Sequence, residues 1–99
     1  MATPAAANNA AFRISALSTG AQIRVGNGWL HTVTIGVPGV TSNTLTIFDG
    51  TGVTGAVLVR IDTTVANTYV LDVVYNTGLF YTLTGGTAGD ITIAYMPNS

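Results

Sequence analysis

The sequence predicts an all-β fold, an antiparallel, jelly-roll-like β-sandwich of seven to eight strands, on three observations. Apolar and polar residues alternate with period two from Phe12 to Tyr95, the spacing that sends successive side chains to opposite faces of a strand. The alternating runs are rich in Val, Ile, Thr, Tyr and Leu, residues that suit a pleated, half-buried surface. Gly-rich breaks separate the runs at regular intervals, the pattern of a sandwich or barrel. Two facing sheets bury one alternating set from each strand, which favours the sandwich.

Residues 1–11 precede the alternation. They are small, Ala-rich and uncharged, and Pro4, Asn8 and Asn9, with no apolar stripe, argue against a stable helix. The segment is expected to be a flexible arm on a single domain spanning residues 12–99, read either as a disordered tail or as an arm that gains order against a neighbour. Ala5 and Asn8 in the arm, and Phe12 where it joins the domain, are candidate partner contacts.

Phe12, Ile14 and Ala16 then alternate with Arg13 and Ser15, and Gln22–Val25 forms a short extended piece closed by the turn Gly26–Gly28. In the next strand Trp29, His31, Val33 and Ile35 share one side and Leu30, Thr32 and Thr34 the other, until Pro38–Gly39 breaks the ladder. Leu45 and Ile47 oppose Thr44, Thr46 and Phe48, and the loop 49–55 follows with three glycines. Val57, Val59 and Ile61 alternate with Leu58, Arg60 and Asp62. Tyr69, Leu71, Val73 and Tyr75 alternate with Val70, Asp72 and Val74. Asn76–Gly78 reverses the chain into Leu79–Leu83, and the loop Gly85–Gly89 precedes Asp90–Tyr95. Phe48 and Phe80 fall on the opposite parity to Ile47 and Leu79, which predicts an outward position and contact with a partner.

Composition limits the function. The 99 residues are 47% hydrophobic but only 7% charged, against about 25% in an ordinary domain. There is no Lys and no Glu; the charges are Arg13, Arg24, Arg60, Asp49, Asp62, Asp72 and Asp90, for a net charge of -1. Gripping nucleic acid or an anionic membrane takes clustered Arg and Lys, so neither partner is expected. So small a net charge protects a free monomer poorly against association, which points to an oligomer or a larger assembly. Arg13, Arg24 and Asp72 are almost the only charges placed to guard a strand edge, which predicts edges open to a second copy. Without cysteine there is no disulfide, thiol catalysis or Cys-based zinc. No apolar run approaches the roughly 20 residues of a membrane helix, and the opening lacks the basic and apolar stretches of a secretory signal, so a cytosolic origin is expected.

No constellation for catalysis, cofactor or metal binding stands out. His31, the single histidine, lacks a motif-marked nucleophile and orienting carboxylate. The four Asp occupy strand ends and turns, where Asp caps backbone N–H groups, rather than forming a marked pair for glycoside hydrolysis. Asp49 and Asp90 border Gly-rich loops without the spacing of a calcium loop, and Gly26–Gly28 and Gly50–Gly52 lack the strand-to-helix context of a phosphate loop. Trp29, Tyr69, Tyr75, Phe80, Tyr81 and Tyr95 offer an alternative, an aromatic platform for stacking sugars.

The runs Asn43-Thr-Leu-Thr-Ile-Phe-Asp-Gly50, Gly55-Ala-Val-Leu-Val-Arg-Ile-Asp62, Gly78-Leu79 and Gly89-Asp-Ile-Thr-Ile-Ala-Tyr95 resemble those of small structural proteins of tailed bacteriophages. The similarity covers about residues 29–95, in turn and strand positions. It resembles in particular the capsid decoration or cement proteins, β-domains that sit over capsomer junctions, often as trimers. The resemblance implies a non-enzymatic virion protein on the capsid surface, made in the host cytoplasm, with the major capsid protein and copies of itself, as a homotrimer, for partners. Similar modules in tails and fibres imply the alternative of a tail or fibre component or a carbohydrate-binding β-module. The arm of residues 1–11 is then expected to lie across a neighbouring subunit as a tether.

Overall fold

The computed structural model describes residues 10–97, and these form eight strands and no helix. They are β1 (Ala10–Ile14), β2 (Ser18–Val25), β3 (Gly28–Val37), β4 (Thr44–Asp49), β5 (Ala56–Asp62), β6 (Asn67–Tyr75), β7 (Gly78–Thr84) and β8 (Asp90–Pro97). Two four-stranded antiparallel sheets result, ordered β1-β8-β3-β6 and β2-β7-β4-β5. Only β4 and β5 are joined as a hairpin within one sheet; every other connection crosses between sheets. The pairs β1–β8, β2–β7, β3–β6 and β4–β5 are those of one long ribbon folded at the 49–55 loop and rolled up, which is the jelly roll. The first strand begins at Ala10, two residues inside the stretch read as an arm, and β2 begins at Ser18 rather than Gln22.

The core lies between the sheets in cross-strand rows. Ile14, Ile91 and Ile35 form one row of the first sheet, and Phe12, Ile93, Val33 and Tyr69 the next. Leu83, Leu45 and Ile61, then Tyr81, Ile47 and Val59, face them from the second sheet. Most of these side chains are fully buried and belong to one continuous cluster, each contributing about 1.5–3 kcal/mol by leaving water.

Two features depart from plain alternation. In β3, Leu30 rather than Trp29 and His31 shares the core with Val33 and Ile35, while Trp29 and His31 are exposed. The reason is a bulge. Leu30 opposes Val73 and Thr32 opposes Val70, so β6 carries the extra residue there, and across β8 the same step of β3 carries it. A bulge resets which face later side chains occupy.

The second departure concerns the edges, which are β1 and β6 in one sheet and β2 and β5 in the other. Features other than charge blunt them. β1 has only five residues, β2 shifts register twice, β5 carries Leu58 as an extra residue beside Phe48, and β6 carries the bulge at Leu71–Asp72. Short and bulged edges resist an added strand without charged side chains. Few charges at an edge are therefore not by themselves a sign that it is open to a second copy.

A buried polar knot ties loops at one end of the sandwich. Asn43 and Thr63 have no exposed surface. The Asn43 Nδ2 donates to the Gly85 carbonyl at 2.8 Å, and the Thr63 hydroxyl donates to the Asn43 carbonyl at 2.8 Å and faces its Oδ1 as well. The Thr63 amide donates to the Asn43 carbonyl at 3.1 Å, and the Gly39 amide to that of Thr63 at 2.9 Å. Thr41 and Ser42, just before the knot, take left-handed φ values of 58° and 61°.

Candidate functional site

Jelly-roll strands leave one face of each sheet to solvent. On β2-β7-β4-β5 that face carries Thr46, Phe48, Val57, Arg60, Phe80 and Thr82 by register. Phe48 and Phe80 stand opposite each other, outward as parity predicts, with ring centroids 6.3 Å apart in an edge-on arrangement. The Phe80 ring lies over Gly20 of β2, its Cζ 2.7 Å from where a Cβ would stand, so only glycine fits beneath it. Phe48 is left 8% exposed. Much of this aromatic surface is therefore spent within the domain.

Phe12 lies on the inward parity of β1 and is half-buried, its ring 5.7 Å from that of Tyr81. Ala5 and Asn8 lie outside the described residues. The structure thus brings Phe48 and Phe80 together and holds Phe12 apart from them, in the inter-sheet core.

The outer face of β1-β8-β3-β6 differs. One row runs Val74, Trp29, Met96, the next Val70, Thr32, Ala94, Ala11, and the third Thr68, Thr34, Thr92, Arg13. Trp29 is 53% exposed, Val70 66% and Val74 54%. Three large apolar side chains on one sheet face form a patch of the kind that marks a contact surface. Of the aromatic platform, Trp29 alone is strongly exposed.

The ionisable groups on this face lie in two contacts. The Arg13 guanidinium donates to both carboxylate oxygens of Asp90, at 2.8 and 2.9 Å. That hydrogen-bonded pair holds Asp90 below the usual carboxylate range and raises Arg13. Nδ1 of His31 contacts the Asp72 carboxylate, and both side chains are well exposed. Asp72 sits at the β6 bulge with φ 50°, a left-handed conformation that Asp tolerates better than branched residues. Among the described residues no hydroxyl hydrogen-bonds His31, so the pair lacks the third member of a nucleophilic triad.

The other two carboxylates are likewise engaged. Asp49 accepts from the amides of Asn76, Thr77 and Gly78, at 2.9, 2.8 and 3.3 Å. Burial pushes its pKa up, but these three donors outweigh it and hold the carboxyl below its ordinary value. Asp62 accepts from the hydroxyl and amide of Thr64, which lower it too. Among the described residues no three His, Cys, Asp or Glu side chains gather as a metal group would require. An open groove lined by Ser42, Thr44, Arg60, Asp62 and Thr64 is polar and has no aromatic floor.

Sequence reading missed several of these. Leu30 and Val33, three apart, break period two, and that spacing was a legible sign of the bulge. The alternation put Val70 and Val74 opposite the core set, so their exposure was readable as well. The His31–Asp72 contact spans 41 positions and the Asn43–Thr63 knot 20, with no local signal for either. No protein-family model matches the chain, and no curated protein matches its sequence.

Proposed function

We propose that the chain is a non-enzymatic virion structural protein, a capsid cement or decoration protein that stabilises a phage head by binding the major capsid protein and working as a homo-oligomer. The observation that carries this reading is the outer face of β1-β8-β3-β6, with Trp29, Val70 and Val74 in water and its cation Arg13 already paired with Asp90. Such a face suits contact with protein rather than with nucleic acid, which rewards free cations. The low charge of the whole chain points the same way, as does the likeness of its turn and strand motifs to tailed-phage structural proteins. The jelly roll itself is used by capsid and lectin domains.

Stabilisation in this reading is mass action. A protein that binds the assembled shell and not its free subunits shifts the equilibrium toward the shell. Repetition by symmetry lets contacts of modest strength add. The test is to purify particles made from the genome that encodes the chain. The chain should copurify with heads in a fixed ratio to the major capsid protein, and heads lacking it should release DNA at a lower temperature. Its absence from purified heads would sink the reading.

A tail or fibre component, or a carbohydrate-binding module, is the second reading, favoured by the exposed indole of Trp29 on a Thr-rich face. A glycan array decides it: specific binding that disappears in Trp29→Ala would support the module.

A further inference from the structure

We propose that Asn27 is a site of spontaneous covalent modification, losing its carboxamide to become an aspartyl or isoaspartyl residue at the junction of β2 and β3. The inference is independent of the assembly reading. Asn27 is the single asparagine followed by glycine, and it lies exposed between the two strands. Asn43, Asn67 and Asn76 are each followed by Thr, whose branched side chain crowds its own backbone nitrogen. They are also differently held. The Asn43 carboxamide is tied to Gly85 and Thr63, and the Thr68 amide already donates to the Asn67 Oδ1 at 2.8 Å. The Thr77 amide after Asn76 is spent on Asp49. No hydrogen bond among the described residues holds the Asn27 carboxamide.

Packing keeps glycine after Asn27. A Cβ on Gly28 would stand 2.3 Å from the Met96 carbonyl oxygen and 2.5 Å from the Tyr75 hydroxyl, so position 28 admits no side chain. The buried Tyr75 ring thus holds the reactive pair in the sequence. The same position is a weak point of the ladder. Gly28 is the first residue of β3, and Pro97 opposite it on β8 has no N–H to give. Strand ends open locally at a small fraction of the cost of global unfolding, and such an opening frees the Gly28 nitrogen to turn on its neighbour.

The chemistry needs only water. The Gly28 nitrogen gives up its proton and attacks the Asn27 Cγ. The bond between them forms, the bond from Cγ to the carboxamide nitrogen breaks, and that nitrogen leaves as ammonia with the proton. Water then opens the resulting succinimide ring. Opening at Cγ gives the aspartyl product, and opening at the main-chain carbonyl gives the isoaspartyl product, whose backbone is longer by one methylene. Either product carries a carboxylate in place of the amide and adds one negative charge to the net -1 of the chain.

The full chain is to be aged at neutral pH, folded and in urea, and followed by ion-exchange chromatography and peptide mass mapping. Trypsin cuts after Arg24 and Arg60, so Asn27 and Asn43 share one peptide and fragmentation tells them apart. Isoaspartyl methyltransferase labels the isoaspartyl product. The expected result is an acidic species whose changed mass maps to Asn27, ahead of any change at Asn43, Asn67 or Asn76. The folded protein should form it within about a hundredfold of the rate in urea, as a local opening allows. Asn27→Gln, at an exposed position, should abolish that species in the folded protein and leave the melting temperature unchanged. Asn27 that stays intact overturns the proposal, as does a wider gap between the two rates. Earlier change at Asn43, Asn67 or Asn76, or the same acidic species in Asn27→Gln, overturns it as well.

Discussion

Asn43→Ala tests whether the buried knot holds the loop end of the sandwich together. The substitution removes Nδ2 and Oδ1 but leaves the Asn43 carbonyl, so the Thr63 amide and hydroxyl keep an acceptor. The Gly85 carbonyl loses its donor at 2.8 Å. An orphaned buried acceptor costs about 1–3 kcal/mol. The missing carboxamide leaves about 40 Å3, worth about 1 kcal/mol at the measured cavity coefficient. The sum is about 2–4 kcal/mol, a large share of the 5–15 kcal/mol typical of a domain. At roughly 4–8 °C per kcal/mol for a domain of this size, melting should fall by about 8–32 °C.

Urea unfolding followed by far-UV circular dichroism measures this, with an unchanged m-value showing that the unfolded state is not what moved. Thr63→Val completes a double-mutant cycle, expected to show coupling of about 0.5–3 kcal/mol. Asn43→Asp adds a test of sign. A carboxylate there would face the Gly85 carbonyl in a fully buried site, so burial raises its folded pKa and its penalty shrinks as pH falls. An Asn43→Ala protein melting within about 2 °C of the original would refute the assignment of Asn43 as the tie between these loops.

Ile61→Ala removes a core side chain that is 3% exposed and should cost about 2–4 kcal/mol; Val73→Ala, half-buried on β6, should cost nearer 1 kcal/mol. Exposed Arg60→Ala should stay within about 0.5 kcal/mol, and the three variants are ranked by urea midpoint. Because the folded pKa of Asp49 is lowered, its stabilisation is complete above the unfolded carboxylate value near pH 4 and is lost as pH falls through the folded value. Asp49→Asn should flatten that acid limb in unfolding measured from pH 2 to 7, and an unaltered slope would remove Asp49 from its cause. The Tyr75 hydroxyl is buried with no partner among the described residues, so Tyr75→Phe should change stability by less than about 0.5 kcal/mol or increase it; a loss above about 2 kcal/mol would reveal a partner for the hydroxyl.

Local and non-local information divide cleanly here. Alternation and Gly-rich turns are local, and they located the strands and set Leu45 and Ile47 apart from Phe48, and Tyr69, Leu71, Val73 and Tyr75 apart from Val70 and Val74. The pairing of β1 with β8 joins Ile14 to Ile91, and nothing in either segment names the other. Bulges lie between these cases: Leu30 and Val33 betray one by spacing, but which partner strand absorbs the extra residue depends on β6 and β8 together. The same bulges explain why Trp29 was placed on the side of Val33 and Ile35, and why edges with few charges were taken for open ones. Charge is visible in a sequence. Register is not.

The β6 edge brings these strands of argument to one residue. Asp72 holds a left-handed φ of 50° within the bulge and contacts His31 across the sheet. A β-branched residue resists that conformation, and left-handed geometry costs an ordinary residue about 1–2 kcal/mol. Asp72→Val therefore gains by straightening the bulge, which would restore a continuous ladder on an edge already flanked by Val70, Val73 and Val74. The expected result is association through β6 into species larger than the original protein forms, seen by light scattering, together with a lower melting temperature. Asp72→Asn keeps a residue that tolerates the left-handed region and should keep the oligomeric state of the original. If both variants behave alike, bulging at Asp72 is not what guards this edge.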